Sequence, residues 1–296
     1  MVDENDLDGI ARIFEKLRPA TDAHITRDRV RRYLSAIADT PAPSTAASAL
    51  RVPVLRQLLE QDDVLGPRLG FDANFGNTGS AAILTGAEGS PKPLWYFAHL
   101  DTISYLVQPF DGAAYPLVPF CCHMMVDGQC TAWAYRYDLA ANGYAVVGTG
   151  KLVSRQGTPF FQPDAGSPVL GPGDRVVPTT RYRETSASGD FVGHVDNAGA
   201  VAALAVAAPV LAEAGVAALL AFPDEEEGPP GAGNQMIGRG GTRIVDLLPT
   251  PDLAIVADVQ QAGGDDSADA RGGVVNSCRM GQGAMLAEFS SLRAAR

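Results

Sequence analysis

Residues 103–188 show no helical periodicity, and this stretch constrains the architecture of everything around it. YLVQPF, YPLVPF, TAWAYRY, YAVVGTGKLV and DRVVPTT are short strand-like runs separated by DG, ANG, QG and GPGD turn signals. Such a segment is read as a small β-barrel or sandwich of its own. The flanks have a different texture. LDGIARIFEKL and ITRDRVRRYLSAIAD place apolar residues three and four apart and predict helices; TPAPSTAAS (40–48) breaks the chain, and LRVPVLRQLLEQ resumes a helix kinked or started at its proline. SAAILTG and LWYFAH read as short buried strands. Beyond the β segment, NAGAVAALAVAAPVLAEAG (197–215) predicts an apolar helix closed by Gly215, with VAALLAF (216–222) and LAIVADV (253–259) as further buried strands. The expected fold class is α/β, with a central mixed sheet flanked by helices. Residues 1–102 and 189–296 would form it, split by an inserted all-β barrel-like domain at 103–188.

Charge narrows the function. A net charge of −11 argues against a nucleic-acid surface, which presents a clustered basic face, and suits a site for divalent cations. No stretch approaches the roughly 18–20 consecutive apolar residues that cross a membrane. The N-terminal MVDENDLDGIARIFEKL has no basic segment before an apolar one, so no secretory signal is expected and the setting is read as cytoplasmic. Cys121, Cys122 and Cys130 lie near His123, but adjacent cysteines do not match metal-ligand spacing; with Cys278 they are read as reduced, buried thiols. The glycine-rich GNTGS and GRGG match no phosphate-binding fingerprint.

Four places put metal-capable side chains at the end of an expected strand or in the turn after it. They are His99 with Asp101 in AHLD, Asp196 in GHVDNAG, Glu225 and Glu226 in FPDEEEG, and Asp258 in AIVADV. Each alone has a structural reading: a satisfied core histidine, a helix N-cap at Asp196, an acidic loop, a turn at Asp258. In open α/β sheets, however, sites form at the carboxyl ends of strands, and carboxylates gathered there repel one another unless cations neutralise them. One imidazole with several carboxylates is suitable chemistry for zinc, cobalt or manganese.

In this order the motifs resemble the co-catalytic metallo-aminopeptidases of the glutamyl aminopeptidase and tetrahedral aminopeptidase type, also known as endoglucanases. HLD (99–101), DNAG (196–199), EEEGPPGA (225–232) and ADV (257–259) carry the resemblance, with GPGD (171–174) similar to a family turn. The resemblance spans essentially the whole chain and implies a zinc-exopeptidase-like fold and two divalent ions (zinc or cobalt, with manganese as a further option). By it His99 and Asp258 would hold one ion, Glu226 the other, and Asp196 would bridge them. Asp101 would orient His99, and Glu225 would be the general base. It further implies short peptide substrates and a homo-oligomer between a dimer and a dodecamer.

The chain departs from the family in three places. Ala198 stands where the family has a basic residue, and Pro229 and Pro230 replace a Leu-Arg pair. The family's last ligand, a histidine beyond the Ala-x-Asp-Val strand, has no counterpart: the histidines are His24, His99, His123 and His194. A C-terminally truncated sequence is the preferred account; completion of the second site by His194, two residues before Asp196, is the other. The competing functions are a metal-dependent N-acyl amino acid amidohydrolase, whose inserted domain is usually an α/β lid, and a non-catalytic homologue that has lost a ligand.

Overall fold

The computed structural model describes residues 4–120, 123, 125–141, 143–179, 181–184, 191–228 and 238–259, without the side chains of 4–10 and 191. Cys121, Cys122 and Cys278, the second half of EEEGPPGA including Pro229 and Pro230, and everything after 259 lie outside the described residues. Cys130 is a free, half-buried thiol.

Three helices come first: α1 (Glu4–His24), α2 (Arg27–Ala38) and α3 (Ala47–Gln61). Helix α2 starts at Thr26, whose hydroxyl accepts the Arg29 N–H, and buries Tyr33, Leu34, Ile37 and Ala38 along one stripe. Pro41 and Pro43 interrupt the helical run, and Pro53 sits inside α3 rather than starting it.

A mixed sheet follows, built from β1 (Leu69–Asp72), β2 (Ala81–Thr85) and β3 (Leu94–Phe97) with two strands from much later in the chain. Between them lie the six strands of a closed barrel: β4 (Tyr105–Val107), β5 (Tyr115–Pro119), β6 (Gly128–Asp138), β7 (Gly143–Arg155), β8 (Thr158–Pro163) and β9 (Arg175–Pro178). Its order is β4-β5-β8-β7-β6-β9, and every pairing is antiparallel. Closure removes free edges, so a core as small as Tyr105, Leu117, Ala134, Leu152, Phe161 and Val176 suffices. Where β7 crosses β8, a Cβ on Gly150 would lie 2.2 Å from the Gln162 carbonyl oxygen, so only glycine fits. Asp174 of the GPGD turn is buried and clamps the Arg136 guanidinium at 2.8 and 2.6 Å.

After a two-stranded ribbon, β10 (Arg183–Glu184) and β11 (Phe191–Val192), come α4 (Val195–Glu213), β12 (Ala218–Phe222), α5 (Arg239–Val245) and β13 (Leu253–Val256). Helix α4 ends at Ala214, and Gly215 takes φ +71°, the left-handed turn that stops a helix. By length and composition α4 could cross a bilayer, but 67% of it is buried against the sheet and α2. Burial accounts for its apolar sequence.

The sheet order is β1-β2-β12-β3-β13. Strands β12 and β13 both run parallel to β3, one on each side, while β2 pairs antiparallel with β12 and β1 antiparallel with β2. Alternation is strict on β12. Ala218, Leu220 and Phe222 face the large core under α4, and Leu219 and Ala221 face the smaller core with Trp95, Phe97 and Ile244. Three parallel strands thus end side by side, and the residues following them meet.

Candidate metal centre

The ladder outlasts the strands. Leu100 N–H donates to Pro223 O at 2.8 Å, and Ala257 N–H to Phe97 O at 2.8 Å, so β3, β12 and β13 finish level. His99 follows β3, the acidic turn 224–227 follows β12, Asp258 follows β13, and Asp196 comes from the first turn of α4. The Asp196–Asn197 peptide is cis, and both residues leave helical geometry, with ψ 109° at Asp196. Asn197 is fully buried and its Nδ2 donates to Ala257 O at 2.9 Å, tying the start of α4 to the end of β13.

His99 is 5% exposed, and its Nε2 faces three carboxylates: Asp196 Oδ1 at 3.3 Å, Asp258 Oδ1 at 3.7 Å and Glu226 Oε2 at 3.9 Å. Potential ligand atoms of His99, Asp196 and Asp258 all lie within 4.8 Å of one another, and so do those of His99, Glu226 and Glu227. Burial opposes charge on the His99 ring. Hydrogen bonds to Asp101, Asp196 and Asp258 outweigh it, and the ring pKa is pushed up to about 12. Glu226 is raised by burial and by the neighbouring Asp101, Asp258 and Asp196, against the lowering influence of His99. Glu227 is pushed up to about 7 by burial, then by Asp196 and Glu226.

On its other side His99 Nδ1 meets the Asp101 main-chain oxygen at 3.1 Å and Asp101 Oδ1 at 3.6 Å. Fully buried, Asp101 joins three segments. Its carboxylate accepts the Ser44 hydroxyl at 2.5 Å and the N–H groups of Glu226 at 3.0 Å and Glu227 at 2.8 Å. Asp224 does similar work one turn earlier. It accepts Thr45 N–H at 2.9 Å and Ser48 N–H at 3.2 Å, supplying α3 with the N-terminal carboxylate that Ala46 at the cap position lacks. Burial first, and then Asp101, raise the Asp224 pKa. Beneath both carboxylates lies the fully buried Arg51, donating to Leu100 O at 2.6 Å and Thr40 O at 3.0 Å. Burial lowers its pKa to about 10 against the pull of Asp101, Asp196 and Asp224.

Glu225 is held elsewhere. Both its oxygens pair with Arg243, at 2.9 and 3.0 Å, and Oε2 lies 3.4 Å from Arg239. His194 precedes α4 at the cap position, and burial, then Arg51, lower its pKa; it belongs to neither ligand group. The barrel reaches the site through Arg175, which stacks 3.7 Å from the Phe120 ring centroid and donates to Ser44 O and to Thr45 Oγ1. Ser44, Arg51, Arg175 and Asp224 were not expected from sequence, because none carries a ligand-like spacing. Glu227 stood in plain view as the third acid of EEE.

The chain is similar to the TET1 peptidase of Pyrococcus horikoshii, at 15% identity and a TM-score of 0.56 over 80% of this chain and 72% of that one. A TET aminopeptidase from a marine-sediment thaumarchaeon matches at 15% identity and TM-score 0.55, over 80% of this chain and 67% of that one. An aminopeptidase from Desulfurococcus kamchatkensis matches at 17% and 0.52, over 82% and 66%. The chain shares the fold of these proteins. No protein-family model matches it, and no curated protein matches its sequence. At these identities the likeness establishes the fold and leaves the activity to the site. The donor set fits a divalent cation: one buried imidazole and several oxygen donors, from separate elements, whose mutual repulsion a cation would relieve.

Proposed function

We propose that the chain is a metal-dependent aminopeptidase that removes N-terminal residues from short peptides. One observation carries this reading: His99 Nε2, at the end of the middle parallel strand, is ringed by carboxylates from the neighbouring strand ends and the start of α4. His99, Asp196 and Asp258 would hold one ion, and Asp196 with the acidic turn a second. Bound divalent ions lower the pKa of water and polarise a carbonyl. The protein's own part is to hold that chemistry in place. Asp101 fixes the orientation of the imidazole and, with Asp224, holds the turn that carries the glutamates, and a glutamate of that turn takes a proton from the attacking water and hands it to the leaving amine.

The closed barrel favours this reading over the amidohydrolase, whose inserted domain is an α/β lid. The Pyrococcus horikoshii protein can assemble into a tetrahedron or a large octahedral shell. We propose a homo-oligomer here too, supported by exposed apolar residues on the barrel such as Phe110, Val126, Leu139 and Val169. A cytoplasmic setting and the division at 102/103 and 188/189 complete the reading.

The test compares aminoacyl-p-nitroanilides, their N-acetylated counterparts and N-acyl amino acids, with zinc, cobalt or manganese added. Cleavage of the free-amine substrates alone, abolished by a chelator, is expected. Cleavage of N-acyl amino acids alone would overturn the reading in favour of the amidohydrolase.

A further inference from the structure

The resemblance assigns the proton-handling role to Glu225 and the ligand role to Glu226. We infer that in this chain both roles lie one residue later, so that Glu227 is the metal ligand, Glu226 handles the proton, and Glu225 is a structural strut. This rests on the metallopeptidase reading for its chemistry and on the geometry of the 224–228 turn for its assignment.

Both ends of the turn are pinned. At the start, the Asp224 carboxylate is fastened to the first residues of α3, and a Cβ on Gly240 of α5 would lie 2.0 Å from Asp224 O. At the end, Gly228 has φ +133°, and a Cβ there would lie 2.3 Å from the Phe120 carbonyl oxygen of the barrel. Between these points Glu225 takes φ +66°, a left-handed conformation that residues with a side chain seldom adopt. That left-handed residue reverses the chain. Glu225 is consequently directed to α5, where Arg243 grips both its oxygens and Arg239 adds a third contact. The following two residues are directed to the end of β3, their N–H groups taken by the two Asp101 oxygens.

The two glutamates that share His99 are therefore Glu226 and Glu227, with ligand atoms within 4.8 Å of one another and of the imidazole. Their surroundings separate the roles. Glu227 is 8% exposed, where an ionised carboxylate is costly unless a cation lies beside it. The Glu226 side chain is 42% exposed, open to water and substrate. Restoring the resemblance's assignment would require Glu225 to leave two arginines and its φ to change sign, with both ends of the turn fixed.

Metal occupancy decides between the assignments without any substrate. The full-length protein is stripped with chelator and titrated with zinc, cobalt and manganese, and bound ions and melting temperature are measured. Glu227→Gln is expected to weaken binding at least roughly tenfold, the smallest loss seen even when an outer partner of a ligand is removed, and to abolish the metal-induced rise in melting temperature. Glu226→Gln should bind metal as wild type does. Glu225→Gln should bind metal but melt about 2 °C or more lower in the metal-free form, having lost its clamp on Arg243. That pattern supports the inference whether or not peptides are cleaved, so a failed peptidase assay counts against the function alone. Metal loss in Glu226→Gln with normal binding in Glu227→Gln overturns it, and so does a wild-type protein that binds none of the three ions.

Discussion

The floor and the rim of the site use the same residue types for different ends. On the floor, Asp101 and Asp224 are buried and saturated with backbone N–H donors, and each joins segments distant in sequence. On the rim, the side chains of Asp196, Asp258 and Glu226 are 55%, 46% and 42% exposed and share one imidazole among them. A carboxylate surrounded by fixed donors is architecture; carboxylates that crowd a single nitrogen are waiting for positive charge. The difference teaches that acidity alone did not mark the site. What marks it is the ratio of carboxylates to donors.

Three substitutions and one titration test that division. Asp101→Ala strikes the floor and leaves two backbone N–H groups and the Ser44 hydroxyl without their acceptor. It should lower the stability of the metal-free protein by ~3–5 kcal/mol in a urea titration, and a loss under about 1 kcal/mol would erase the distinction. Asp196→Asn strikes the rim. It removes a like charge and a partner of the His99 ring together, so metal-free stability should fall far less than in Asp101→Ala, while metal binding should weaken roughly tenfold or more, about 1.4 kcal/mol.

Proton release sharpens the rim's side of the comparison. With its pKa pushed up to about 12, the His99 ring is protonated at neutral pH in the metal-free protein, and a metal must displace that proton. Affinity should then rise roughly tenfold per pH unit for each proton released, and calorimetry in buffers of different ionisation enthalpy should show the release. Metal binding at neutral pH without it would contradict the protonated ring.

The smallest effect belongs to a floor-like carboxylate far from the site. Burial would raise Asp62, but bonds from Arg32, Arg29 and Tyr33 outweigh it and hold its pKa below the usual carboxylate value. A depressed carboxylate stabilises the fold above its unfolded pKa and loses that contribution as the pH falls through the folded one. Asp62→Asn should therefore cost about 1 kcal/mol at pH 7, and the gap to wild type should close as the pH falls below the usual carboxylate range.

Much of this was legible before any coordinates, for physical reasons that vary along the chain. Short strand-like runs and glycine turns announced the barrel, three-four spacing announced α1 and α2, and an apolar run closed by Gly215 announced α4, because such patterns are direct products of burial. The short β1 and α5 escaped, since four residues of LGFD and seven of RGGTRIV are too few for a period to emerge. Site residues behaved similarly. His99, Asp196, Glu226 and Asp258 could be named because strand ends collect ligands, and the structure brings these four together. The direction taken by Glu225 could not be read, because it depends on one left-handed residue and on an arginine eighteen positions away. Arg51 and Ser44 were hidden for the same reason: main-chain oxygens for Arg51, and for Ser44 a carboxylate 57 positions away, are partners that only the closed fold delivers.

Strand β3 has Leu94 opposite Ala218 on one side and Leu253 on the other. A chain emerging from the ribosome releases His99 early and must wait for Ala218–Phe222 and Leu253–Val256 before either neighbour exists. Any coordination at this site would thus be a late event in the life of the polypeptide, since a nascent or half-folded copy has no competent cage. A cation held there would certify that the three parallel strands are in place.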